Sequence, residues 1–151
     1  GRLLESPGRV ATLPADINDH GEVVGERLFE GTRAFRWTRQ DGMQDLGALS
    51  GVDTDFSTAK GINRWGHIVG GSQFETDGLV HGFIWTQKSG MLDLNDRIHP
   101  TSPLANVLVV GGAAAINDSG WIVGDGFIPD APDPQRAYVL IPRRAGEEPC
   151  S

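Results

Sequence analysis

Three times in 151 residues the chain repeats one phrase. It reads DINDHGEVVG at 16–25, GINRWGHIVG at 61–70 and AINDSGWIVG at 115–124. The shared pattern is I-N-x-x-G-x-[VI]-V-G, and its Ile recurs at 17, 62 and 116, so successive copies start 45 and 54 residues apart. A second phrase follows each copy: RAFRW at 33–37, HGFIW at 81–85 and RAYVL at 136–140. A third follows twice, as DGMQDLG at 41–47 and SGMLDLN at 89–95. Matched blocks in matched order mark a repeat architecture, in which one supersecondary unit is stacked against its siblings.

Each block reads as a strand. GEVVG, GHIVG and GWIVG are short and β-branched, AFRW, GFIW and AYVL are short and aromatic, and Gly stands at their ends. N-D-x-G supplies a tight turn between the first two strands, and TRQDGM and TQKSGM supply another between the third and fourth. One repeat is therefore a four-stranded antiparallel meander of the size of a propeller blade. Val23–Val24, Ile68–Val69 and Ile122–Val123 are adjacent apolar pairs, so they face opposite sides of one strand and call for burial on both. Small residues crowd the first strand of each repeat: Ala15, Ala59, Gly61, Ala114 and Ala115. The expected fold class is all-β: a β-propeller with three blades per chain, at about 14–49, 58–98 and 112–142, in a single domain spanning 1–142. The segment 143–151 is a polar tail.

The third repeat lacks its fourth strand. PGRVATL at 7–13 is expected to supply it, as the outer strand that completes the last blade. Three blades are fewer than the usual four to eight, and alone they leave two apolar faces open. Two chains are expected to close a six-bladed homodimer, since a two-fold arrangement makes both junctions identical. The other reading is a piece of a longer array.

These motifs resemble the HAF repeat family of extracellular repeat proteins, named for a His-Ala-Phe triplet before the Trp strand. The triplets here are Arg33-Ala34-Phe35, His81-Gly82-Phe83 and Arg136-Ala137-Tyr138, and the MQDLG and MLDLN segments match as well. The likeness covers residues from about 8 to 142. It implies an extracellular or cell-envelope location and implies no chemistry. The family His stands only at His81, and Arg64 replaces the motif Asp in the middle copy, so these positions read as structural.

Composition narrows the partners. A net charge of −7 with no basic stripe argues against nucleic acid. No apolar run is long enough to span a membrane as a helix. The one cysteine, Cys150, has no partner for an internal disulfide and stands in the tail, and there is no G-x-S-x-G elbow.

The gaps between second and third strands and those between repeats vary in length and emerge at one end of a meander, so that end is the expected ligand face. For catalysis it offers His81, Asp53, Asp55 and Glu75. For ligand binding the residues are Arg33, Arg136 and His99, with Trp65 and Trp121, which stand where the other copies carry polar side chains. Asp125, Asp130 and Asp133 are oxygen-rich enough to suit Ca²⁺, yet lack the ligand order of a calcium loop, so the acidic rim is read as solvated and no cofactor is expected. Two functions stay open: a module that binds a glycan, small molecule or protein, and a hydrolase of lactones, phosphoesters or glycosides at a channel mouth, where a metal would assist.

Overall fold

The computed structural model describes residues 4, 10–52, 55–74 and 78–143. Eleven strands form three antiparallel sheets, each a meander in chain order. The first sheet holds β1 (Ala11–Ile17), β2 (Val23–Leu28), β3 (Thr32–Thr38) and β4 (Gly42–Asp45). The second holds β5 (Ser57–Ile62), β6 (Ile68–Gln73), β7 (Val80–Thr86) and β8 (Gly90–Asp93). The third holds β9 (Val109–Ile116), β10 (Ile122–Phe127) and β11 (Gln135–Leu140). One 3₁₀ turn, Asn95–Arg97, is the helical content of the described residues.

The repeated phrase has a local cause in every sheet. Its Asn closes the turn: Asn18 Oδ1 accepts the N–H groups of His20 and Glu22, Asn63 Oδ1 those of Trp65 and His67, and Asn117 Oδ1 those of Ser119 and Trp121, all at 2.9–3.1 Å. The turn Gly adopts φ of 75° at Gly21 and Gly66 and 80° at Gly120, a region costly for other residues. The final Gly of the phrase answers a different demand. The preceding strand bulges at Pro14/Asp16, Ala59/Gly61 and opposite Val123/Gly124. The bulge brings backbone against the next strand, so a Cβ on Gly25, Gly70 or Gly124 would overlap a carbonyl oxygen of Leu13, Thr58 or Gly112.

The second sheet lies between the other two. The inner strand of each later sheet packs on the sheet before it: β5 against β1–β3, and β9 against β5–β7. Two apolar cores result. One joins Val24, Ala34 and Leu46 of the first repeat to Ile62, Ile68, Phe83 and Trp85 of the second. The other joins Val69 and Leu94 to Val110, Ala113, Ile122 and Tyr138 of the third. Full burial of an aromatic such as Phe83 contributes about 1.5–3 kcal/mol.

Strand register sorts the side chains into rows. Ile17, Val23, Trp37 and Met43 are cross-strand partners on one face of the first sheet. Ile62, Ile68, Trp85 and Met91 form the same row in the second, and Ile116, Ile122 and Leu140 in the third. The opposite faces carry Val24 with Arg36, Val69 with Ile84, and Val123 with Val139. In both cores the first kind of row meets the second kind from the preceding sheet.

Two expectations change. Residues 11–13 do not extend the third sheet: Ala11, Thr12 and Leu13 pair with Leu28, Arg27 and Glu26 inside the first. β1 thus begins earlier than the motif spacing implied, and residues 7–9 lie outside the described residues. The small first-strand residues are buried only where another sheet covers them, as at Ala59 and Gly61, while Ala15, Ala114 and Ala115 are exposed.

Candidate functional site

The sequence-predicted residues fall at both ends of the sheets. Arg33, His81 and Arg136 begin the third strands, and Asp55, His99, Asp130 and Asp133 lie in the long connections at the same end. Trp65 and Trp121 sit at the opposite end, in the Asn-Gly turns. Asp53 and Glu75 lie outside the described residues, as does Cys150.

Arg33 and His81 turn out to be equivalent parts of a clamp. Arg33 Nη2 donates to Asp45 Oδ1 at 3.3 Å, and its Nη1 donates to the carbonyls of Val52 and Asp55 at 3.0 and 3.1 Å. His81 Nδ1 lies 2.6 Å from Asp93 Oδ2, and its ring stacks on Phe74 at 4.6 Å. Asp45 and Asp93 are the Asp of the D-L-G and D-L-N phrases. Their Oδ1 atoms also accept the N–H of Gly47 and Asn95, each at 2.8 Å. The first residue of the first two triplets therefore ties the third strand to the turn after the fourth. Arg33 and His81 are both buried in this service. Arg33 Nε is buried with no acceptor among the described residues.

Burial pulls the Asp45 carboxyl upward, but its bonds to Arg27 and Gly47 and the charges of Arg33 and Arg27 outweigh that, and it ends below the usual aspartate range. The third sheet has no fourth strand among the described residues, so Arg136 finds no such Asp. It is exposed and donates to the carbonyls of Asp133 and Gln135, both at 2.6 Å. His99 caps its own turn through Thr101. Among the described residues no three His, Cys, Asp or Glu side chains converge as metal ligands, so Asp125, Asp130 and Asp133 remain separate exposed carboxylates.

A cleft of about 510 Å³ opens at the short-turn end, between the first and second sheets. Its walls include Glu22, Arg36, Gln44, Trp65, Trp85 and Gln87. Arg36 takes the position that Ile84 and Val139 hold in the other sheets, so this junction ends in a charge instead of an aliphatic side chain. Arg36 Nε donates to Glu22 Oε1 at 2.9 Å, Nη2 donates to the same oxygen, and Nη1 reaches Gln44 Oε1 at 3.4 Å. The guanidinium stands 6.0 Å over the Trp85 ring. Burial raises the Glu22 carboxyl, yet its bonds from Asn18 and Arg36 prevail and lower it below the ordinary glutamate range. Trp65 projects at the rim, 64% exposed, its Nε1–H held by the Asp118 carbonyl at 2.9 Å and Arg64 5.0 Å over its ring. The indole is thus fixed at its edge and on one flank while much of it faces solvent.

The expectation placed recognition at the variable-loop end. That end holds a smaller cleft of about 260 Å³, lined by Asn95, Ile98, Pro100, Ala105, Asn106 and Leu108, none of them a predicted site residue. Sequence reading missed Glu22, Arg36 and Gln44. The available signal was charge out of place: Arg36 stands where the other repeats carry Ile84 and Val139.

No family model matches the chain, and neither curated proteins nor solved structures yield a match.

Proposed function

We propose that the chain is a binding module whose ligand is a glycan, held in the cleft between the first and second sheets. The carrying observation is the pairing of the pinned, solvent-facing Trp65 indole with the Glu22–Arg36–Gln44 cluster beside it. A sugar ring has an apolar face and an equatorial belt of hydroxyls. An aromatic platform meets the first, and carboxylate, guanidinium and amide groups meet the second. Because Trp65 and Glu22 are already held by hydrogen bonds, binding costs little side-chain ordering.

In this reading the three sheets are three blades of a six-bladed β-propeller closed by a second copy, and the module works outside the cell, as the likeness to the HAF repeat family implies. The membrane bears on it only this far: no helix of the described residues is long and apolar enough to cross one. The hydrolase alternative rests on His81, whose Nδ1 lies 2.6 Å from Asp93 Oδ2.

The test is a titration with soluble oligosaccharides, read by tryptophan fluorescence and calorimetry. Saturable binding that falls about tenfold or more in Trp65→Ala, the loss of one stacking platform, is expected. Binding indifferent to Trp65→Ala, or no binding across a broad oligosaccharide panel, overturns the proposal. Turnover of ester, phosphoester or glycoside substrates that disappears in His81→Ala would put the hydrolase in its place.

A further inference from the structure

The two outer faces of the molecule are the unused halves of a junction that the molecule makes twice inside itself. On the first sheet the row Ile17, Val23, Trp37 and Met43 has no sheet before it. Its counterpart in the second sheet, Ile62, Ile68, Trp85 and Met91, is the same residue set but for one methylene, and it packs into the first core. Ile17 is 63% exposed where Ile62 is 5%. On the third sheet the receiving face carries Val123 and Val139, directly paired, at 43% and 46% exposure, whereas Val24 and Val69 at the equivalent place are fully covered.

Hydrogen bonds repeat with the same polarity. Asn18 Nδ2 donates to the Asn63 carbonyl at 3.0 Å, and Asn63 Nδ2 donates to the Asn117 carbonyl at 3.2 Å. The ladder stops there. Asn117 Nδ2 has no acceptor among the described residues, and the Asn18 carbonyl receives only the N–H of its own turn residue Gly21. A second rung follows the same direction: the Arg64 N–H donates to Asp118 Oδ1 at 2.9 Å. The equivalent next step runs from the Asp118 N–H to the carboxylate of Asp19, which is exposed at the other end of the molecule.

We propose that the outer face of the third sheet binds the outer face of the first sheet of a second copy, head to tail, with Asn117 extending the amide ladder into the second copy's Asn18 carbonyl. This inference rests on the ring reading above for the claim that two copies suffice, and on the repeated junction alone for the claim about which faces meet. The contact is heterologous: one face of each copy meets the other face of its neighbour, so it closes into a ring if the rotation per copy allows and otherwise grows. The apolar rows supply the attraction, and the amide rungs set which copy faces which.

Solution mass of the full chain decides the matter, measured by light scattering and sedimentation with the 16.2 kDa monomer as reference. The wild type is expected to run as a dimer. Ile17→Lys blocks the head and Val123→Glu with Val139→Glu blocks the tail; all three side chains are exposed, so folding is checked by circular dichroism and should persist. Each blocked variant alone is expected to be monomeric, and an equimolar mixture of the two is expected to dimerise, since one junction of the mixed ring is intact and the other sets a cation against carboxylates. Asn117→Ala removes one amide rung from each of the two junctions and is expected to weaken association about thirtyfold, as the loss of two neutral hydrogen bonds does.

A wild-type dimer that both blocked variants still form alone overturns the junction and leaves a two-copy assembly standing through other surfaces. Blocked variants that fail to dimerise in the mixture overturn the head-to-tail polarity. A wild type that forms concentration-dependent higher masses, reduced to monomer by either block, supports the junction and overturns closure by two copies. A wild type monomeric at all concentrations overturns both.

Discussion

Ile62 and Ile17 open the same phrase in neighbouring repeats, and one is buried while the other stands in water. The same contrast runs through the whole of the second sheet against its neighbours. Ile68 and Val69 are adjacent on β6 and both are fully buried, because the first sheet covers one face and the third covers the other. Ile122 and Val123 are adjacent on β10, and only Ile122 is covered. The sequence asks for two-sided burial in all three sheets, and the three-sheet body grants it to one. Side-chain identity therefore does not measure what a position contributes; the neighbour does.

The largest expected effect tests that statement with one residue type in one motif. Ile62→Ala should destabilise the chain by about 2–5 kcal/mol, the usual cost of emptying a packed isoleucine site, while Ile17→Ala should stay within about 0.5 kcal/mol. Urea unfolding, read at protein concentrations low enough to keep the chain monomeric, measures both. Equal losses would mean that the first sheet is covered in solution by something other than a second copy, and the contrast would fail.

A smaller effect sharpens the comparison through the asparagines. All three close their turns alike, so alanine at any of them removes two backbone caps. Asn63 is buried and both gives and receives an inter-sheet bond, whereas Asn117 only receives one. Asn63→Ala should therefore cost more than Asn117→Ala, by about 1 kcal/mol, in the same unfolding assay. A larger loss at Asn117 would show that the ladder contributes little and the turns almost everything.

How much of this was legible beforehand follows from what the sequence encodes directly. Strand order and the meander were readable because Gly, Asn and the β-branched pairs specify local geometry. The final Gly of the phrase was readable as a strand boundary but not as the answer to a bulge, since the bulge lies on another strand. Residues 11–13 were misplaced because a single short strand carries no label for its partner. The cleft was missed for the same reason: Glu22 and Arg36 are fourteen positions apart and meet only across a sheet. Sequence alone weighs His81 and Arg33 one residue at a time. Only the paired Asp93 and Asp45 reveal a shared clamp.

That clamp yields the smallest expected effect, and it separates the first sheet from the third. Asp45 is held below its ordinary value, so its ionised form is favoured by folding. A carboxylate depressed in the folded chain contributes stability that is fully present above the ordinary aspartate value and is lost as pH falls through the lowered one. Glu22, lowered beside Arg36, acts in the same direction. Neutral solutions should therefore show no dependence from these groups, and stability should decline once pH drops below the ordinary carboxylate values. Asp45→Asn removes one proton-linked group while keeping an acceptor for the Gly47 N–H, so its unfolding midpoint should fall less steeply from pH 5 to pH 2 than that of the wild type, and lie below it at pH 7. The third sheet has no fourth strand among the described residues, and Arg136 meets only the exposed Asp133 carboxylate at 3.8 Å, an ion pair that solvent screens, so Arg136→Gln should leave the acid limb nearly unchanged. The decisive observation is the slope of the urea midpoint against pH in the three proteins. If Arg136→Gln flattens it as Asp45→Asn does, Arg136 holds a carboxylate as firmly as the clamp of the first sheet does, and the asymmetry between the two ends of the molecule disappears.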